Sequence, residues 1–169
     1  MGIFISCGKC RQVDLFHHNS EGLLSMKCQF CNLANKHEIT NIIYQTKHIA
    51  CFLDIDPIND GHTLIVPKKH VIDTEDLDHE TRLDVMNAVT LLSKAIKKCY
   101  QPDGITIMQN GGHFNDVNHY HMHVFPRYKN DGFAWVDKTV LVKNKNLVEV
   151  AKSLIPIISE IGNLKNGAI

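Results

Sequence analysis

The sequence predicts an α+β domain with a mainly antiparallel sheet of about five strands and two main helices. Five short segments are rich in β-branched and aromatic residues and are bounded by turn residues, which is typical of strands. Two longer segments have apolar residues at helical spacing. Because the strands are grouped instead of alternating regularly with helices, we expect most of them to pair antiparallel.

The predicted strands lie between residues 41 and 126. NIIYQT and HIACFLDID form the first two, and the turn PINDG leads into the third, HTLIVPKKH. ITIMQN is the fourth strand, and HYHMHVF is the fifth, which ends at Pro126. Pro67 should end or bend the third strand, because proline has no backbone N–H to donate to a neighbouring strand.

The predicted helices cover residues 78–100 and about 146–162. The second begins at Asn146, a suitable N-cap, and contains Pro156, which should bend it. The first has an apolar face made of Leu83, Met86, Val89, Leu92, Ile96 and Cys99.

The overall composition limits the function classes. The chain has 169 residues, and we expect an N-terminal extension over residues 1–25 and a single domain over 26–169. Its 18 Lys and Arg balance 18 Asp and Glu, which argues against broad binding to nucleic acid. Without an apolar stretch of about 18 residues or a secretory signal, we expect no membrane segment and a cytoplasmic location. Its six cysteines are then expected to be reduced thiols or metal ligands.

The most informative stretch contains His119, His121 and His123 at every second position. On a strand these side chains project from one face, with neighbouring Cα atoms in the row about 6.6 Å apart. An imidazole can act as a nucleophile, a proton carrier or a metal ligand near neutral pH. The row therefore indicates a functional site, either a three-histidine zinc site or a histidine that accepts a phosphoryl group.

Three blocks of sequence resemble the histidine-triad (HIT) family. HYHMHVF matches the family signature, a row of alternate histidines with apolar residues between them. FLDIDPINDGHTLIVPKKH resembles a second diagnostic block, and MKCQFC resembles the first cysteine pair of zinc-binding members. Together the blocks cover most of residues 26–130 in the family's order, and the resemblance implies a HIT-like fold and a homodimer.

The resemblance also implies an activity and assigns residues to it. The family acts at the α-phosphate of purine nucleoside phosphoramidates or related AMP-X compounds, as a nucleotide hydrolase or nucleotidyl transferase. His121 would be the nucleophile that forms a nucleotidyl-histidine, and His123 a donor near the phosphate and the leaving group. Asp54 would bind the ribose hydroxyls. Gln109 and the backbone N–H groups of the Gly111-Gly112 loop would approach the phosphates.

The chain departs from the family pattern just before the triad. Many members have a Gly-Gln-Ser/Thr segment there, whose side chains touch the phosphate and the leaving group, whereas this chain has Phe114-Asn115-Asp116. Asn115 could replace the glutamine as a nucleotide-binding donor. Asp116 brings negative charge near the phosphate, which leaves the leaving-group preference open. The alternatives are a dinucleoside polyphosphate hydrolase and a nucleotide-binding protein with little turnover.

The cysteine pair Cys28/Cys31 has two metal-binding interpretations. Together with Cys7 and Cys10 it has the spacing of a zinc ribbon, which would suggest a nucleic-acid binder. The family resemblance implies instead one structural zinc per chain, with ligands Cys28, Cys31, His70 and His119. We favour the second set, because the residues between the two pairs are a poor β-ribbon. His62 is expected either to support the active site or to cap its turn.

Overall fold

The computed structural model describes residues 28–134 and 146–166, so the predicted extension over residues 1–25 lies outside the described residues. The chain divides into two units, Met1–Phe133 and Ala134–Ile169. The expectation of a single domain from residue 26 onward stays a prediction.

Five antiparallel strands form one sheet in the order β1-β2-β3-β5-β4. This confirms the predicted α+β class and the five predicted strands. The strands are β1 Ile42–Gln45, β2 Ile49–Leu53, β3 Thr63–Pro67, β4 Gly104–Gln109 and β5 Met122–Arg127.

The two units contain three α-helices within the described residues. The predicted long helices are α2 (His79–Tyr100) and α3 (Leu147–Asn166), and the short α1 (Gln29–Ala34) was not predicted. Asn146 caps α3 as expected, because its side-chain oxygen accepts a hydrogen bond from the Glu149 N–H at 3.3 Å. No described helix combines the length and the apolar character needed to cross a membrane.

The sheet of the first unit is covered on both faces. Helix α2 packs on one face and α1 on the other, which explains why four of the five residues of β2 are buried. The α2-side cluster includes Ile49, Cys51, Ile65, Val85, Val89, Tyr120 and Val124. The α1-side cluster includes Phe30, Ala34, Ala50, Phe52, Leu64 and Val66.

The histidine row lies mostly before β5 and not within it. The strand begins at Met122, so His119 and His121 precede it, and the Tyr120 N–H donates to the Val71 carbonyl at 2.7 Å. The alternation of faces is nevertheless as predicted. Tyr120 belongs to the α2-side cluster, whereas the His119 and His121 rings contact Phe30 of α1 on the other side.

A matched pair of isoleucine truncations tests the position of the core. Ile65 is fully buried in β3, and Ile107 of the edge strand β4 is 49% exposed. We expect Ile65→Ala to lower the free energy of unfolding by about 3 kcal/mol, because it leaves a cavity under α2. Ile107→Ala should lower it by about 1 kcal/mol or less. Urea unfolding measures both, and equal losses would contradict this arrangement of the core.

Candidate active site and metal centre

Two cysteines and two histidines come together at the start of α1. The cluster consists of Cys28, Cys31, His70 and His119, and one ligand atom from each lies within 4.8 Å of the others. The Cys28 Sγ is 3.2 Å from the His119 Nδ1, and the Cys31 Sγ is 3.4 Å from the His70 Nδ1. Two thiols and two imidazoles are a donor set that suits tetrahedral zinc, so the cluster could hold a metal ion.

The local structure explains why these ligands converge. Cys28 is the N-cap of α1 and Cys31 lies in its first turn, so the two-residue spacing brings both thiols to one helix end. His70 follows β3, and His119 precedes β5, the strand that pairs with β3. The alternative partners Cys7 and Cys10 lie outside the described residues.

The protonation of His119 suits metal binding, whereas that of Cys31 must change when a metal binds. Burial lowers the pKa of His119 to about 4, so the ring is neutral at neutral pH. Its Nε2–H donates to the Pro67 carbonyl at 3.0 Å, which leaves the lone pair on Nδ1, the atom that faces the thiols. Burial, with a smaller contribution from Cys28, raises the pKa of the Cys31 thiol to about 11. A metal ion would offset this cost, because thiolates are the form that binds metals.

His121 is held with one nitrogen open for attack. Its ring is 1% exposed, and its Nδ1–H donates to the backbone carbonyl of His119 at 2.8 Å. The lone pair is therefore on Nε2. The Phe30 ring packs edge-on at a centroid distance of 5.1 Å, and the Asp116 carboxylate lies 3.5 Å from Nε2. The ring is therefore held in one orientation, with Nε2 as the nitrogen directed at the cavity.

A chain of hydrogen bonds also fixes the tautomer of His123. The Ile58 N–H donates to the His62 Nδ1 at 3.2 Å, so His62 carries its proton on Nε2. That Nε2–H donates to the His123 Nδ1 at 3.0 Å, and His123 must then carry its own proton on Nε2. His62 thus serves both roles considered for it, since it receives a turn N–H and supports the site. The result is that His123 is a hydrogen-bond donor through Nε2.

Asp54 lies beside this pair of rings. One of its oxygens is 3.6 Å from the His62 Nε2 and 3.9 Å from the His123 Nδ1, and the side chain is 8% exposed. Its other oxygen accepts a hydrogen bond from the Asp56 N–H at 2.9 Å. Despite this carboxylate, burial lowers the pKa of His123 to about 3 and also lowers that of His62.

A cavity of about 210 Å³ connects these groups. Its polar lining includes His121, His123, Asp54, Asp116 and Glu38. Its apolar wall is formed by Phe30, Leu33, Ile39, Phe52, Leu53, Ile55 and Leu64. An apolar wall beside a few convergent polar groups suits a small ligand with a flat ring and a polar tail.

Gln109 and Asn115, both predicted to bind the nucleotide, are not among the residues that line this cavity. The Gln109 amide accepts from the Thr74 hydroxyl at 3.2 Å and donates to the Asn110 carbonyl at 2.6 Å. The Asn115 amide donates to the Ile72 carbonyl at 3.1 Å. Their assignment to the nucleotide stays a prediction.

The Gly111-Gly112 loop is hydrogen-bonded to a carboxylate of the protein. The Gly112 N–H, which we expected to face a phosphate, donates to the Asp73 carboxylate at 2.9 Å.

Two residues that the sequence did not single out do contribute to the site. Phe30, between the two cysteines, packs on both His119 and His121. Ile58 sets the tautomer of His62, and no sequence pattern marks a backbone N–H for that role.

The lowered pKa of His123 gives a pH dependence of stability. In the unfolded chain this histidine takes up a proton near pH 6.5, whereas in the folded chain it does so only near pH 3. The free energy of unfolding should therefore fall as the pH falls below about 6.5, by about 1 to 2 kcal/mol between pH 7.5 and 5 from this group. Urea unfolding at the two pH values measures the difference.

A pair of variants assigns that pH effect. His123→Gln removes the titrating ring, so its loss of stability between the two pH values should be smaller than that of the wild type. His79→Gln changes an exposed histidine at the start of α2 and should keep the wild-type difference. An unchanged difference in His123→Gln would contradict the assignment.

Comparison with known proteins places these features in a family. The family model for the HIT domain matches residues 35–130. An uncharacterized HIT-like protein of Methanocaldococcus jannaschii is 37% identical over 129 residues, which cover 75% of this chain and 98% of that protein. The adenosine 5′-monophosphoramidase of Saccharomyces cerevisiae is 36% identical over 107 residues, which cover 62% of this chain and 65% of that protein.

Solved structures agree with the sequence comparison. A HIT family protein from Bacillus subtilis superposes with a TM-score of 0.68 at 32% identity, covering 76% of this chain and 95% of that chain. A zinc-bound histidine triad family protein from Mycobacterium smegmatis superposes with a TM-score of 0.58 at 29% identity, covering 83% of this chain and 99% of that chain. From the triad, the fold and these matches, we conclude that the chain belongs to the HIT family.

Proposed function

We propose that the protein is a nucleotide hydrolase or nucleotidyl transferase that acts at the α-phosphate of purine nucleoside phosphoramidates or related AMP-X compounds. The observation that carries this proposal is the state of His121. Its Nδ1–H donates to the His119 carbonyl, so Nε2 is the ring nitrogen that reaches the cavity. The similarity to a yeast adenosine 5′-monophosphoramidase supports the choice of substrate.

The reaction would proceed in two displacements at phosphorus. In the first, the His121 Nε2 forms a bond to phosphorus, the bond to the leaving nitrogen breaks, and that nitrogen takes up a proton from solvent and leaves as an amine. In the second, a water oxygen bonds to phosphorus, the bond to Nε2 breaks, and the water releases one proton to solvent. His121 keeps its Nδ1–H throughout, and the His119 carbonyl stabilises the positive charge on the modified ring.

The other cavity residues would bind and orient the nucleotide. His123 would donate its Nε2–H to a phosphate oxygen, since its Nδ1 already accepts from His62. Asp54 would accept hydrogen bonds from the ribose hydroxyls, and the purine ring would lie against the apolar wall near Phe52 and Ile55. A pre-fixed donor and nucleophile reduce the reorganisation needed to reach the transition state.

Replacing the nucleophile tests the mechanism. We expect His121→Ala to lose at least about 10³-fold in kcat for an adenosine 5′-phosphoramidate, because no other group can form the covalent intermediate. His113→Gln changes an exposed histidine of the loop before the triad and should keep near wild-type turnover. Steady-state release of AMP measures both.

Two further measurements complete this test. Mass spectrometry of rapidly quenched wild-type protein should detect a nucleotidyl adduct at His121. Wild-type turnover by His121→Ala would contradict the mechanism. Faster turnover of a dinucleoside polyphosphate than of the phosphoramidate would favour the polyphosphate hydrolase alternative, and binding without turnover would favour a nucleotide-binding role.

We also propose that Cys28, Cys31, His70 and His119 hold one structural zinc ion. The proximity of their ligand atoms and the zinc-bound neighbour from Mycobacterium smegmatis support this assignment. Zinc would supply structural stabilisation, fastening α1 to the segments before β5 and after β3. The homodimer and the cytoplasmic location implied at the outset stay predictions.

Serine substitutions test the metal ligands. Wild-type protein should contain about one zinc per chain, and Cys28→Ser and Cys31→Ser should lose most of it and unfold at a lower temperature. Cys99→Ser changes an exposed cysteine of α2 and should keep the metal. Cys7→Ser/Cys10→Ser should also keep it. Elemental analysis after dialysis measures the content, and retention of zinc in the Cys28 variant would contradict the proposed ligand set.

A further inference from the structure

The carboxylate of Asp116 faces the nucleophilic nitrogen. Its Oδ1 is 3.5 Å from the His121 Nε2, and its side chain is 47% exposed at the edge of the cavity. Among the described residues, the Nε2 of His121 is the polar side-chain atom that the Asp116 carboxylate approaches. The negative charge therefore stands where phosphate chemistry would take place.

The rest of the cavity does not compensate for this charge. Glu38 and Asp54 also line it, and the described lining residues include neither lysine nor arginine. A substrate with a second anionic group beside the reacting phosphate would meet carboxylates without a balancing cation. Like charges at this range disfavour binding, and a cation on the substrate would reverse the sign of the interaction.

The position of Asp116 limits which part of the substrate it can meet. In an in-line displacement the leaving atom lies on the far side of phosphorus from Nε2, a few bond lengths away. A group attached to that atom is within reach of a carboxylate beside Nε2, and the half-exposed Asp116 side chain can meet a group that extends toward solvent. The function proposed above already assigns Asp54 to the ribose and the apolar wall to the purine, so among the carboxylates close to the triad Asp116 is the one left for the leaving group.

We infer that Asp116 is a specificity-determining residue that selects leaving groups with a positive charge. The preferred substrates are nucleoside phosphoramidates whose amine carries a second, ammonium group, over those with a neutral or anionic leaving group. This inference rests on the proposed phosphoramidate hydrolysis.

Three matched substrates test the inference. They are adenosine 5′-phosphoramidates of 1,2-diaminoethane, propylamine and glycine, which have cationic, neutral and anionic leaving groups of similar size. Wild-type kcat/KM should decrease in that order. Asp116→Asn, an isosteric change, should lower the cation-to-anion ratio of kcat/KM by about fivefold at low salt. Asp116→Thr, a second neutral variant, should lower it similarly.

Two control variants show whether the preference for a cationic leaving group depends on a carboxylate at position 116. Asp116→Glu should keep the preference for the cationic leaving group. Glu80→Gln removes an exposed carboxylate at the start of α2, outside the cavity, and should leave the ratio unchanged. In the wild type, added salt should reduce the ratio, because it screens a half-exposed carboxylate.

The outcomes separate this inference from the proposed function. If the wild type and Asp116→Asn have the same ratio while His121→Ala is inactive, the inference is wrong and the proposed function stands. An equal loss on all three substrates also leaves the ratio unchanged and overturns it. If the wild type turns over none of the three, both are overturned.

Discussion

His119 connects the cysteine–histidine cluster to His121, because its side chain contacts the cluster and its backbone carbonyl contacts the His121 ring. Its side chain bridges the metal cluster and the sheet, since Nδ1 faces the thiols and Nε2–H donates to the Pro67 carbonyl. Its backbone carbonyl receives the Nδ1–H of His121 and so fixes the nucleophile. A shift of His119 would therefore displace both its Nδ1 in the cluster and the carbonyl that fixes the tautomer of His121. The remaining contacts of the site, including the packing of Phe30 on both rings, preserve this one arrangement.

Burial lowers the pKa of two histidines of the site. The pKa of His119 falls to about 4 and that of His123 to about 3, although the Asp54 carboxylate lies beside His123. Desolvation outweighs attraction here, because the rings are shielded by α1 and the sheet while Asp54 is not in direct hydrogen-bond contact with His123. Neutral rings with fixed tautomers are what the proposed chemistry needs, since a protonated imidazole can neither attack phosphorus nor bind a metal.

The strands and the long helices could be predicted because their patterns are local. Alternating or continuous apolar runs gave β1 to β5, and a 3.6-residue period gave α2 and α3. Helix α1 was not predicted, because six residues are too few to establish a helical period and its N-cap is a cysteine without a capping hydrogen bond. The metal cluster needed the family resemblance, since spacing alone pairs Cys28 and Cys31 equally well with an upstream pair.

Side-chain direction was the least predictable property of the site. Gln109 and Asn115 were assigned to the nucleotide from the positions that they match in the family pattern. The loop between them bends through a 3₁₀ turn at Gly112–Phe114, where Gly112 has a φ of +55°, and in the structure without a ligand their amides bond to other groups of the protein. Backbone geometry of this kind follows from contacts with the Asp73 region, which is distant in sequence.

The active site lies where the pairing of β3 with β5 ends. The register runs from Thr63 opposite Val124 to Ile65 opposite Met122 and stops there. Beyond that point the backbone groups of both segments need other partners, because unpaired buried groups are costly. The Pro67 carbonyl accepts a hydrogen bond from the His119 Nε2–H, and the Tyr120 N–H donates to the Val71 carbonyl.

The same opening creates the room for chemistry. With the two segments no longer paired, the ring of His121 occupies the space beside α1 and reaches the cavity. A strand that continued its ladder through residue 119 would leave the Pro67 carbonyl to a backbone N–H and His119 without its anchor. The end of the β3–β5 ladder is therefore the feature that places alternating histidines in the three different environments on which the proposed roles of metal ligand, nucleophile and donor depend.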